Sequence, residues 1–384
     1  MMSADRSLGI YVHIPFCIRK CNYCDFCSFP SGDEEKSAYV SALTKNIREL
    51  SDKFSDRIVD SIFFGGGTPT CLNADQLCSI LETIKCHYNV DPDAEITTEC
   101  NPATADYTYM ASLKSGGFNR LSLGVQSAND NELKLLGRLH NFSDFEKTYN
   151  SAIRSGFSNI NLDIMFGIPD QTEASFENTL RKIISLSPTH ISAYSLKIEP
   201  NTRFYKERAS LTLPGEDSEY NMYKQAYDIL GQNGYGHYEI SNYAMAGFES
   251  KHNLKYWNCD DYIGFGISAH SCIGRNRYST ISSIDAYIGS ILQNNYSDIY
   301  SLEESLSPES FSEEYIMMRM RLRDGLSKDE YYQKFSYPLN KKYIDRMSRF
   351  IKSGHIINSD NRYCFSLDGM YISNYILSEI LDLE

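Results

Sequence analysis

Between residues 8 and 196 the chain alternates short apolar runs with longer amphipathic ones, and that alternation leaves few folds open. The short runs fall at 8–13, 59–64, 95–99, 120–125, 159–166 and 190–196. Between them apolar residues recur at helical spacing, as Tyr39, Leu43, Ile47 and Leu50 do within 34–54. Asn73 stands where it can cap a helix running to about residue 88, and 107–115 and 176–186 also read as helical. Strands alternating with helices in this way build right-handed βαβ units on a parallel sheet. Six repeats are too few to close an eight-stranded barrel, so the spacing predicts an α/β fold with an open, partial (βα)6 barrel. In parallel α/β folds the functional site lies at the carboxyl ends of the strands. The residues with most chemical potential sit there: a cysteine loop after the first strand, Gly65-Gly66-Gly67-Thr68 after the second, Glu99 ending the third, Gln126 after the fourth and Asp163 in or near the end of the fifth.

The first strand runs through a proline into Cys17, Cys21 and Cys24, spaced CxxxCxxC. Thiolates are soft ligands suited to iron–sulfur clusters or zinc. Three of them can wrap one [4Fe-4S] cluster while leaving one iron without a protein ligand, open to a small molecule. The bland alternative is a structural zinc knuckle completed by Cys27 or His13. Zinc sites usually show a second ligand pair downstream, and no CxxC or HxxxH pair follows. The cluster is the better reading.

Formal charge is −13, from 37 Lys and Arg against 50 Asp and Glu. That opposes binding to a phosphate backbone, which needs a basic surface, and no nucleic-acid partner is expected. The eleven cysteines are odd in number, and the N-terminal Met-Met-Ser-Ala-Asp-Arg carries no apolar signal region. Free or cluster-bound thiols in a reducing cytoplasm fit better than secreted disulfides. No run of about 18 apolar residues exists, so no transmembrane segment is expected.

The glycine run lets backbone approach a ligand closely, and it lacks the Lys-Ser/Thr of a phosphate-binding P-loop. Glu99, Gln126, Arg138 and Asp163 are each unremarkable alone. His252 precedes the only tryptophan of the chain, in His252-Asn253-Leu254-Lys255-Tyr256-Trp257. A lone histidine among aromatics is ordinarily a packed one, although neutral imidazole is also a common heme ligand.

CxxxCxxC resembles the signature of the radical S-adenosylmethionine (radical SAM) superfamily. The fuller string 11–26 resembles its coproporphyrinogen dehydrogenase (HemN) branch and, more closely, the related HemW family of heme chaperones. The resemblance implies that Cys17, Cys21 and Cys24 hold a [4Fe-4S] cluster and that 65–70, through Gly66, Gly67 and Thr68, receives the amino group of S-adenosyl-L-methionine (SAM). It implies that Arg138, in Leu-Gly-Arg, pairs with the SAM carboxylate by its planar fork. Glu99 in Glu-Cys-Asn-Pro, Gln126 in Leu-Gly-Val-Gln and Asp163 in Asn-Leu-Asp-Ile-Met-Phe-Gly would serve the ribose hydroxyls and the ammonium, with Tyr11 and Tyr23 lining cluster and cofactor. It further implies that HNxxYW is a heme-binding element with His252 as ligand. Cys259 and Cys272 are the alternative thiolate ligands, although they read better as buried small residues, and His140, His237 and His270 carry no comparable motif.

Two departures separate the branches. Phe26 occupies the position of the dehydrogenase's fourth cysteine, as in the HemW pattern, while Cys27 fits neither rule and reads as an incidental thiol. Only 16 residues precede Cys17, so the dehydrogenase's N-terminal arm is also missing from the sequence. The resemblance therefore implies a heme chaperone that binds cluster, SAM and heme, and delivers heme to apo-proteins such as respiratory enzymes. Turnover of SAM and dimerisation through the cluster stay open, as does peripheral contact with membrane-bound partners. The alternative is oxygen-independent coproporphyrinogen III dehydrogenase, an enzyme of porphyrin biosynthesis. The expected organisation is a radical SAM core over 1–235, an extension over 236–300 bearing the HNLKYW segment, and a helical, winged-helix-like domain over 301–384. Residues 217–232 read as a helix, and 237–242 and 262–271 as strands or extended segments. The last part reads as helices near 311–321, 328–335 and 340–353, a hairpin at 355–365 and a closing helix to Leu383.

Overall fold

The computed structural model describes residues 6–102 and 104–382. Residues 1–5, where the signal-region reading mostly falls, and Leu383, the expected end of the last helix, lie outside them.

Six βα repeats open the chain: β1 (Ser7–Ile14), α1 (Asp33–Leu50), β2 (Ile58–Gly66), α2 (Ala74–His87), β3 (Val90–Cys100), α3 (Tyr107–Gly116), β4 (Arg120–Gln126), α4 (Asp130–Leu135), α5 (Phe142–Arg154), β5 (Asn159–Phe166), α6 (Glu173–Ser185) and β6 (His190–Ser195). Strands β1 to β6 lie side by side in chain order, each parallel to the next. Asn73 caps α2 as expected, in a reciprocal pair with Gln76. Alternate strand residues point to opposite faces, and the two faces differ. Ile10, Val12, Ile62, Phe64, Leu121, Leu123, Ile160, Leu162 and Ile164 are buried in the main apolar core with the helices. The residues between them, Tyr11, Phe63, Glu99, Ser122, Asn161, Asp163 and Ser192, line interior cavities. A doubly wound sheet needs apolar residues on both faces; a sheet curled into a partial barrel keeps one face as a lumen.

The sheet is wider than six strands. After α7 (Arg203–Lys206) and α8 (Glu216–Gln232), the hairpin β7 (Gly236–Glu239) and β8 (Asn242–Ala244) adds antiparallel to β6. Then α9 (Lys251–Asn258) leads into β9 (Tyr262–Phe265), which pairs parallel to β1. Further strands β10 (His270–Ile273), β11 (Asn276–Thr280) and, beyond α10 (Ile284–Leu292), β12 (Tyr300–Ser305) complete the order β12-β11-β10-β9-β1-β2-β3-β4-β5-β6-β8-β7. The end strands β12 and β7 do not pair with each other. Strand β12 lies in text read from the sequence only as Ser-rich and acidic. Only its first residue, Tyr300, packs on the core; the side chains from Ser301 to Ser305 are exposed, so the strand leaves no periodic apolar trace, and its charges suit an unpaired edge.

The remaining elements are α11 (Pro308–Arg319), β13 (Leu326–Ser327), α12 (Lys328–Phe335), α13 (Lys341–Lys352), β14 (Ile356–Asn358), β15 (Arg362–Phe365), α14 (Leu367–Tyr371) and α15 (Ser373–Leu381). A three-stranded sheet, β13-β15-β14, packs with these helices around a core of its own, including Ile316, Met347, Phe365 and Ile376. Helix, strand, two helices and a hairpin in that order make the winged-helix arrangement. Cys259, just past α9, is buried in this second core.

Candidate functional site

The cysteine loop is tied to the end of β2 by backbone. Gly67 N–H donates to Ile14 O and Thr68 N–H to Phe16 O, each at 2.8 Å. Such an approach needs glycine. A Cβ on Gly66, whose φ is +112°, would fall 2.5 Å from the His13 ring, and one on Gly67 would fall 2.7 Å from Phe16 O. The result is a cleft of about 260 Å³ lined by Cys17, Cys21, Cys24, Tyr23, Gly66, Gly67, Thr68, Glu99, Gln126, Arg138 and Asp163. Eleven of the thirteen residues predicted from sequence thus converge at one rim. Tyr11 stands next door, lining two cavities that share Glu99 with the cleft. His252 is the outlier, set deeper in the barrel.

Within the cleft the groups are joined in a chain. Cys17 Sγ lies 3.6 Å from Thr68 Oγ1, which accepts from Asn101 Nδ2 at 2.6 Å. Asn101 Oδ1 accepts from the Arg138 guanidinium, which also donates to Gly124 O at 2.6 Å and reaches Cys21 Sγ at 3.7 Å. Asp163 accepts from Ser122 at 3.0 Å and from Asn161 at 2.7 Å, while Gln126 accepts from Tyr194 at 2.7 Å. Gln126 itself sits at φ +66°, where a bulge shifts the register of β4 against β5. A left-handed glutamine costs energy and marks a site where geometry outranks local preference. Burial, and then the neighbouring Asp163, push the Glu99 carboxyl up to about 8. Burial also raises the thiol of Cys24 and the phenols of Tyr11 and Tyr23.

This donor set fits a [4Fe-4S] cluster with SAM beside it: three free thiols on one loop, an arginine fork, two acid groups and a side-chain amide. Of the two fourth ligands a zinc knuckle could use, His13 does not serve. His13 has its Nε2 2.9 Å from Cys27 O and its Nδ1 3.1 Å from the Tyr11 hydroxyl, so neither nitrogen is available.

The HNLKYW segment forms α9, which plugs the opposite end of the lumen. Glu95 of β3 accepts from the backbone N–H groups of Lys251 and His252, at 3.2 Å each, and lies 3.8 Å from the buried Arg120. Lys255 is buried on Asp60 at 2.7 Å and Ser7 at 2.5 Å. His252 is 1 % exposed. Its Nδ1 lies 3.0 Å from Ser61 Oγ, its Nε2 lies 2.9 Å from Tyr256 Oη, and Phe63 stacks on its face at 5.4 Å. Burial, with Lys255 and Arg120 nearby, lowers its pKa to about 3, so the ring is neutral. An iron ligand needs a bare ring nitrogen facing open space, and in this arrangement both nitrogens have partners.

Asn101, Tyr194, Ser122 and Glu95 escape sequence reasoning. Asn101 stands in the Glu-Cys-Asn-Pro string and was the most accessible of them; the others act through strand register, which one sequence does not display.

Two family models match the chain: the radical SAM superfamily over residues 11–183 and the HemN C-terminal domain over 306–372. The heme chaperone HemW of Bacillus subtilis is 34% identical over 374 residues, covering 97% of this chain and 98% of the relative. That of Haemophilus influenzae is 35% identical over 389 residues, covering 98% of each. Among solved structures, the coproporphyrinogen III oxidase HemN of Escherichia coli, a radical SAM enzyme, superposes with a TM-score of 0.85 at 23% identity, covering 98% of this chain and 90% of that one. At that identity the likeness establishes the fold alone. With a matching cysteine cleft, both family models and full-length relatives above 30% identity, the chain belongs to the HemW family of the radical SAM superfamily.

Proposed function

We propose that this protein is a heme chaperone that carries a [4Fe-4S] cluster and SAM, binds heme and hands it to apo-proteins such as respiratory enzymes in the cytoplasm. Cys17, Cys21 and Cys24 hold the cluster. SAM lies along Gly66, Gly67 and Thr68, with Arg138 on its carboxylate and with Glu99, Gln126 and Asp163 taking its ammonium and ribose hydroxyls. When bound, the cluster supplies an open iron for the amino acid end of SAM. Tyr23 and Arg138 close one side of the cleft, and Tyr11 separates it from the lumen. Heme occupies the aromatic-lined space between the cysteine loop and α9, walled by Tyr11 and Tyr256. The core 1–235, the extension 236–300 and the C-terminal unit 301–384 then serve cofactor binding, heme holding and docking to recipients.

The observation that carries this reading is continuity. The cysteine cleft shares Glu99 with both aromatic-lined cavities on the α9 side, and one of them holds His252. Phe26, where the dehydrogenase pattern has its fourth cysteine, supports the chaperone over the enzyme. The test is anaerobic reconstitution followed by two assays. About four irons per chain, heme uptake and heme transfer to a heme-free respiratory enzyme are expected. Conversion of coproporphyrinogen to protoporphyrinogen in the presence of SAM and reductant would overturn the reading.

A further inference from the structure

His252 is fully partnered, so heme bound in this lumen would need its iron ligand from elsewhere. Histidine is the natural source, and the chain has eight. His13 and His190, like His252, have both ring nitrogens occupied; those of His190 lie on Asn161 at 2.6 Å and Tyr238 at 2.8 Å. His237 is packed flat on Tyr243 at 4.5 Å. The His140 side chain is buried, with Nε2 sealed from solvent. His87 and His355 lie away from the lumen, on α2 and in the winged-helix domain. His270 differs from all of these. Among the described residues it is an exposed histidine with neither ring nitrogen hydrogen-bonded, and it lines a cavity that joins the cysteine cleft.

That cavity holds about 290 Å³ and is walled by Tyr11, Phe26, Tyr256 and Tyr262, with Cys27 and His270 beside them. It shares Phe26, Gly66 and Glu99 with the cleft, and Tyr11, Glu99 and Tyr256 with the chamber of His252. Its size is near the lower limit for small-molecule sites, about 300 Å³, and its mouth faces solvent. A flat macrocycle can therefore enter edge-on between the aromatic walls and leave its acid-bearing edge outside, in water.

The segment presenting His270 is braced against the cysteine strand. Tyr39 donates its hydroxyl to His13 O at 2.8 Å and accepts from Ile267 N–H at 3.2 Å. Gly266, at φ +93°, presses so close that a Cβ would meet His13 O at 2.7 Å, and a Cβ on Gly264 would meet His270 O at 2.3 Å. The imidazole is thus free at its tip and fixed at its base, as a preorganised ligand should be.

We infer that His270 is the heme-iron ligand of this protein, in the aromatic pocket between the cysteine loop and β9–β10, and that His252 is a positioning residue that fixes the Tyr256 wall of that pocket. This rests on the proposed heme binding. The test is an absorption and electron paramagnetic resonance titration of the full chain with ferric heme, comparing wild type with His270→Gly, His270→Gly plus free imidazole, and His252→Gln. Expected results are an imidazole-ligated spectrum for wild type, its loss with at least a tenfold weaker affinity in His270→Gly, and return of the spectrum when imidazole is added. His252→Gln keeps a side chain that can pair with Ser61 and Tyr256, and it should keep the imidazole spectrum. If His270→Gly binds heme with the wild-type spectrum and His252→Gln loses it, the assignment is overturned while heme binding stands. A wild-type chain that takes up no heme would overturn both.

Discussion

The two ends of the lumen are built on opposite terms. At the floor, α9 is held by groups that satisfy one another: Glu95 on the Lys251 and His252 amides, Lys255 on Asp60 and Ser7, and His252 between Ser61 and Tyr256. At the rim, thiols, two acids, an amide and a guanidinium face a shared cleft, and several are half-buried without the opposite charge that would settle them. Buried polar groups are stable when fully paired and costly otherwise. The floor is therefore a structural closure, whereas the rim keeps its polar groups facing the cleft.

The most severe way to break this contrast is to remove the cysteines. Changing any one of Cys17, Cys21 or Cys24 to Ala should take the anaerobic protein from about four irons per chain to almost none. The apo-protein should lose no more than about 1 kcal/mol, since these side chains are only half-buried. Iron analysis alongside urea unfolding would show both. The floor should behave in reverse. Glu95→Ala strands Arg120 without its counter-charge and uncaps α9, and should cost about 3–5 kcal/mol. Its cluster content, measured on the fraction that stays folded, should be unchanged.

A smaller effect is expected from Arg138→Lys. An ammonium cannot reach Gly124 O, Asn101 and a ligand carboxylate together, so SAM should bind about 10–100-fold more weakly, the equivalent of one or two charge-assisted hydrogen bonds. Isothermal titration would measure it, with heme binding as the control. The mildest prediction is a pH slope. Glu99 titrates near 8 when folded and near 4.3 when unfolded. Between those values the folded state binds more protons, so this residue makes apo stability fall as pH rises and levels off above about 8. Glu99→Gln should flatten that part of the profile. A stability curve rising over the same window would contradict the placement of Glu99.

Much of the rim was legible in the sequence because its residues fall at strand ends, where a spacing rule and a topological rule point to one place. The strand reading 95–99 captured the end of β3 that carries Glu99, although the strand begins at Val90. The floor was less legible. Apart from Tyr256 on the same helix, the partners of His252 come from β2 and β3 and are ordinary residues, Ser61 and Glu95, whose roles exist only after the strands align. Helices α4 and α5 went unread as well, although they carry the chain from Gln126 to β5 and frame Arg138. Strand β12 shows the other limit: an exposed edge needs no apolar pattern, so there was no signal to find.

Helix α9 ends where Arg319 of α11 and Lys334 of α12 both reach Asn258, with Cys259 embedded in the second core. The winged-helix unit is therefore keyed into the base of the barrel rather than hung beside it. A truncation before α11 would uncover Cys259 and strip the stopper of its outer support. The two units should accordingly melt as one cooperative body, and a limited protease should fail to yield a stable barrel free of its tail.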